Sequence, residues 1–202
     1  QNHSTIDKDL TETMLIPSVK RNGDRKCKVY HIHGDMTDEE VSGLISSEKI
    51  NAYYTTTFGE GFGLPIFDGA SAGIPVIAPK FSGHLDFLHI PQDSKSKKKE
   101  KDYFFEPIYT QVCDIPKHAL MDGILIEGSK WGAPDVEKTK KPLRRVYKDY
   151  KSKVARAKKL QQYINKTFTR ENQIDKMLEA IRTGYENESV DWKENMAEIQ
   201  VL

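Results

Sequence analysis

Near the middle of the chain a short, glycine-broken crossover joins two β-rich runs, and that spacing leaves few folds open. Asn51-Ala-Tyr-Tyr-Thr-Thr-Thr57 is rich in strand formers, and Ile74-Pro-Val-Ile-Ala78 reads as a second strand. Between them stand Gly59-Glu-Gly-Phe-Gly63 and a segment opened by Pro65, a residue whose fixed φ suits the first turn of a helix. Two strands joined through a helix run parallel, with the helix packed on the sheet. The same order is expected just upstream. Lys28-Val-Tyr-His-Ile-His33 alternates polar and apolar side chains as a strand would, Gly34 opens a loop, and Thr37 with Glu40 forms a capping-box pattern before Val41, Leu44 and Ile45. The chain is therefore expected to be α/β, a parallel sheet flanked by helices, with ligands at the carboxyl ends of the strands.

With 202 residues, 37% of them hydrophobic, the chain can build one sizeable core and is marginal for two, so one main domain is expected. Its boundaries are read as 1–185, with a tail at 186–202. Thirty-one basic residues offset thirty acidic ones, which removes any global electrostatic argument for nucleic acid or a membrane as partner. Cys27 and Cys113 lack metal-type spacing, and no apolar run approaches the ~20 residues of a membrane span, so a reduced, cytoplasmic protein is expected. The opening Gln1, with no initiating methionine and no signal pattern, reads as a piece of a longer protein whose N-terminal edge is truncated. The polar stretch 93–102, containing Lys97-Lys-Lys99, is expected to be a mobile, solvated loop. Further strands are expected at Tyr103-Phe-Phe105 and Gly123–Glu127. An amphipathic helix is expected on Leu143, Val146, Tyr147 and Tyr150, and a last one on Ile174, Met177, Leu178 and Ile181, stopping near Gly184.

The glycine loop carries the chemistry. Gly61 and Gly63 let backbone N–H groups approach a ligand, and the helix opened by Pro65 points its positive end to the same place, a natural seat for phosphate. Glu60 precedes the glycines and Asp68 lies about one turn into the helix, so two carboxylates flank one loop from different elements. The spacing is not that of a dinucleotide-binding fingerprint, and no acid ends the next strand, which argues against an NAD site. His31 and His33 alternate on their run without a third ligand at metal-site spacing, so no metal is expected. His84 and Asp86 follow Gly83 in the turn after the Ile74–Ala78 run, near the same pocket. No Gly-x-Ser-x-Gly elbow supports a hydrolase.

The stretch from Lys28 to Leu88 resembles the C-terminal donor-binding domain of retaining glycosyltransferases of the B fold, most closely family 4. The residues carrying the likeness are Glu60, Gly61-Phe-Gly-Leu-Pro65, Asp68, Ala70-Ser-Ala-Gly73, Pro75-Val-Ile77, and Ser82-Gly83 with Asp86; it continues more weakly through Trp131, Pro134 and Asp135. The resemblance implies a Rossmann-like sheet forming one half of a two-domain enzyme, whose partner, an N-terminal acceptor-binding domain, is absent from this chain. It implies a nucleotide-diphosphate sugar as donor substrate, no required cofactor or metal, and transfer of a hexose with retention; the fragment alone would be inactive. Glu60 would hold donor-sugar hydroxyls, Asp68 the ribose, and the amides of Gly61, Phe62, Gly63 and Leu64 the sugar and phosphates, with Gly34 and Asp35 near the base. Two departures stand out: the family usually has glutamate where this chain has Asp68, and no cationic diphosphate-binding segment precedes His31. These departures suggest an alternative, a non-catalytic nucleotide-sugar-binding or regulatory module.

Overall fold

The computed structural model describes residues 11–21, 23–24, 26–32, 34–91 and 103–196. The expected loop at 93–102, with its lysine run, and His33 lie outside them. Contacts divide the chain into two units, Gln1–Gly43 and Leu44–Leu202.

The first unit holds a π-helical turn, Thr11–Leu15, continued by helix α1, Ile16–Arg21. The strand expected at Lys28–His33 does not form: residues 28–32 are irregular, with Val29, Tyr30 and Ile32 exposed. Alternation alone does not make a strand, because its apolar side needs a surface to cover and its backbone needs a partner to pair with. The capping box does form. Thr37 N–H donates to Glu40 Oε2 (2.9 Å) and Glu40 N–H to Thr37 Oγ1 (3.2 Å), opening helix α2, Asp38–Ile45.

The second unit is a mixed α/β fold around a three-stranded parallel sheet, β1 (Tyr53–Tyr54), β2 (Val76–Pro79) and β3 (Glu106–Ile108), with β2 in the centre. Helix α3, Leu64–Ser71, connects β1 to β2, as the spacing of the two runs requires. The sheet is covered on both faces because β2 is apolar on both. Val76 and Ala78 pack with Ile66 and Ala70 of α3 and with Leu160 and Ile164 of α5 (Tyr150–Thr167), whereas Ile77 packs with Ile108 and with Val146 of α4 (Val136–Lys148). Beside the sheet, β4 (Thr110–Asp114) and β5 (Lys130–Pro134) form an antiparallel pair.

Four further expectations change. The Gly123–Glu127 run is a turn closed by a Met121–Leu125 bridge, and Gly123 and Gly128, at φ 74° and 85°, take the left-handed backbone that bends the chain out of a strand. At Tyr103–Phe105 only Tyr103 pairs, by a single bridge to His89; the strand proper begins at Glu106. Helix α4 buries Thr139, Pro142 and Val146, leaving Leu143 and Tyr147 exposed, and the chain breaks at Asp149 so that Tyr150 belongs to the next helix. The last helix, α6, runs over Arg170–Met196, past Gly184; a helix tolerates an interior glycine at a cost of about 1 kcal/mol. Among the described residues no helix is long and apolar enough to cross a membrane.

Glu106, the first residue of β3, ties the sheet to two helices. Its buried carboxylate accepts from Arg145 Nε of α4 (2.6 Å) and pairs with Lys153 Nζ of α5 (2.7 Å). Burial pushes its pKa up, but the hydrogen bonds and charges of Lys153 and Arg145 outweigh this and hold it below the ordinary glutamate value. A carboxyl whose pKa is depressed by folding contributes fully above its unfolded pKa and loses that contribution as pH falls through the folded one. Glu106→Gln is therefore expected to lower unfolding free energy by about 1–3 kcal/mol near neutral pH. In urea unfolding followed across pH, the gap to the parent protein should close below the ordinary glutamate range; a gap constant into acid would contradict the pairing.

Candidate functional site

Two loops meet at the carboxyl end of the parallel strands. The first, after β1, contains Gly59–Gly63; the second, after β2, contains Ser82-Gly83 and a 3-10 turn over Gly83–Asp86. Their union runs through backbone groups and one hydroxyl. Glu60 N–H donates to Ser82 Oγ (2.8 Å), Gly83 N–H donates to the Glu60 carbonyl (3.1 Å), and a Cβ on Gly83 would overlap the carbonyl of Gly61. Ser82 is the one described non-glycine residue with positive φ, 80°, a conformation kept only where surrounding contacts over-determine it.

The antiparallel pair braces the root of the first loop. Gly132 N–H of β5 donates to the Phe58 carbonyl (2.8 Å), and the Phe58 and Trp131 rings lie 4.5 Å apart between centroids. Phe81 occupies the space a side chain at position 132 would need. Trp131 thus packs against the loop's base, and Asp135 caps α4 by accepting from Lys138 N–H (3.2 Å).

Gly63 ends the first loop in the left-handed region, φ 85° and ψ 58°, where a Cβ would stand 3.2 Å from both the His84 Cβ and the Ile66 Cδ1. It is the N-cap of α3, which carries no side-chain cap, and Pro65 sits in the first turn as its sequence position suggests. Among the described residues no protein acceptor takes the N–H groups of Gly61, Phe62, Gly63 or Leu64. Open amides in a turn that leads into a helix N-terminus form a site of positive potential suited to an anion. Phe62 is anchored rather than free: its ring lies 5.0 Å from that of Phe87 and 5.5 Å from that of Phe67, in a cluster that also takes in Phe168.

The two acids converge on one neighbour. Tyr53 of β1 has its phenol pKa raised, first by burial and then by the charges of Glu60 and Asp68, so both carboxylates act on the same hydroxyl. Glu60 is half-buried and Asp68 exposed. Tyr53 is held there by close approach to α3, where a Cβ on Gly69 would come within 2.9 Å of the Tyr53 Cβ. Beneath the loop lies His84, fully buried, its Nε2 2.7 Å from the Pro79 carbonyl. A carbonyl only accepts, so Nε2 donates there, and Nδ1 is buried without a hydrogen-bond partner.

Glu60, Gly61, Phe62, Gly63, Leu64 and Asp68 are thus one neighbourhood, with His84 as a strut beneath it. Gly34, at φ 126°, and Asp35 lie in the first unit on irregular chain, not at the end of a strand as expected. Ser82, Tyr53 and the Phe58–Trp131 brace are the parts that motif reading underweights. No model of a known protein family matches the chain, and no curated protein sequence matches it at a significant level.

Because the Gly61 carbonyl is backbone and cannot rotate away, Gly83→Ala is expected to push the two loops apart. The expected cost is about 1–3 kcal/mol of stability, read as a lower urea midpoint with an unchanged slope. A variant as stable as the parent would mean the loops are not locked at this point.

Proposed function

We propose that this chain binds the donor in a retaining glycosyltransferase, holding a nucleotide-diphosphate sugar at the carboxyl end of a Rossmann-like sheet for hexose transfer to an acceptor carried by another domain. The reading rests on one observation above the rest: the uncapped start of α3, preceded by unpartnered amides and bordered by two carboxylates that both act on Tyr53. An amide-lined helix start suits the diphosphate, and carboxylates, which only accept, suit sugar and ribose hydroxyls. As the bond to the anomeric carbon breaks, negative charge grows on the departing diphosphate. Amides already fixed by the Ser82-Gly83 lock stabilise that charge without reorganising.

Glu60 and the amides then act on different parts of the donor. In calorimetric titration with a panel of nucleotide-diphosphate hexoses, Glu60→Gln should weaken the full donor about tenfold, the scale of one charge-assisted hydrogen bond, and change the free nucleoside diphosphate by less than about twofold. Equal losses for both ligands would remove Glu60 from the sugar, and no binding of any member of the panel would remove the reading itself.

A further inference from the structure

At the other end of the molecule's sheet lies a feature that the donor reading does not use. Arg145 and Lys153 hold Glu106 at the amino end of β3, whereas the glycine loop follows the carboxyl end of β1, and the strands run parallel. Around these two cations the elbow between α4 and α5 borders an open surface groove of about 390 Å³ lined by Lys141, Arg144, Arg145, Lys148, Asp149 and Lys153. We propose that this elbow is a second anion site, built for a ligand that carries two or more phosphates close together.

The spacing supplies the first reason. Lys141, Arg144, Arg145 and Lys148 stand at i, i+3, i+4 and i+7, so all four share one face of α4, opposite the face that buries Thr139, Pro142 and Val146. Like charges at i and i+4 repel, and this face has two such pairs, 141 with 145 and 144 with 148. Elsewhere on the same helix the cations are matched: Lys138 pairs with Asp135 and Lys140 with Glu137. In the pocket, Glu106 accounts for Arg145 and Lys153, and among the described residues no acid pairs with Lys141, Arg144 or Lys148. A bound polyanion would relieve that repulsion.

Chemistry and size narrow the ligand. Guanidinium forks match phosphate oxygens two at a time, and lysines add point charges around them. One phosphate would leave the pocket net positive, whereas adjacent phosphates would balance it. The groove is open and has room for more than one phosphate. Glu106 also fixes Arg145 and Lys153 before any ligand arrives, which reduces the entropy lost on binding.

Inorganic tripolyphosphate titrated into the full chain by calorimetry tests for a soluble ligand. Flotation with phosphatidylcholine vesicles, with and without phosphatidylinositol bisphosphate, tests for a lipid headgroup of the same chemistry. Arg144→Ala/Lys148→Ala removes two cations with no ion-pair partner and should fold normally; Lys158→Ala/Lys159→Ala removes two exposed cations outside the pocket. In the arm that reports binding, the pocket variant should lose about tenfold or more and the control less than about twofold. Thermal stabilisation by nucleotide sugars should be unchanged in the pocket variant, which separates this site from the glycine loop. No binding in either arm, an unaffected pocket variant, or equal loss in both variants would overturn the proposal.

Discussion

The contact between Gly83 and the carbonyl of Gly61 is the constraint on which the site depends. It lets the backbones of two loops, each following a different parallel strand, approach more closely than any side chain would permit. The consequences are local and mechanical. With the second loop against the first, Ser82 at positive φ brings its hydroxyl to the Glu60 amide, and left-handed Gly63 opens α3 where a side chain would crowd His84. The cost of a strained serine, of order 1–3 kcal/mol, is offset by contacts that would not exist with the loops apart. What results is a turn whose Glu60 and Gly63 carbonyls accept hydrogen bonds, while among the described residues the N–H groups of Gly61, Phe62, Gly63 and Leu64 have no protein acceptor.

The two ends of the sheet solve opposite electrostatic problems. At the carboxyl end, the backbone amides at the start of α3 contribute positive potential, and the two acids sit close enough to Tyr53 to raise its pKa. At the amino end, real charges do the work: Glu106 is buried and stays ionised because a lysine and an arginine from separate helices meet it. Removing one partner of such a buried set leaves an uncompensated charge, which costs more than the intact set contributes. Glu106 thereby ties both α4 and α5 to the strand, and the cationic elbow lies where those two helices meet it.

Much of the central architecture was legible because several local signals agreed there. Tyr53-Tyr54 and Val76–Pro79 are strands, Pro65 lies in the first turn of α3, and Thr37 with Glu40 closes the capping box, each from its own rule. Where only one signal spoke, it misled. Alternation over Lys28–Ile32 had no partner strand, and the apolar run at Gly123–Glu127 was overruled by left-handed glycines at 123 and 128. On α4 the face read from Leu143, Val146 and Tyr147 gave way to one through Thr139, Pro142 and Val146, and the helix ends at Asp149, a break that the periodicity does not announce.

The residues of the candidate loop could be named from the sequence, but the contacts that hold the loop could not. A motif names Glu60, the glycines and Asp68, since these are the positions whose chemistry a ligand would meet. It does not name Tyr53, and it names Trp131 and His84 without their supporting roles, because those roles arise from contacts the motif does not contain: Tyr53 on Gly69, Trp131 on Phe58, His84 on Gly63 and the Pro79 carbonyl. Yet these residues decide whether the amides are held in place before a ligand arrives, and preorganisation is what distinguishes a site from an exposed turn of similar composition. The buried, unpartnered Nδ1 of His84 shows how little slack is left. With Nε2 committed to the Pro79 carbonyl, the ring cannot flip without exchanging one unsatisfied nitrogen for another, so the floor beneath Gly63 is fixed in a single orientation.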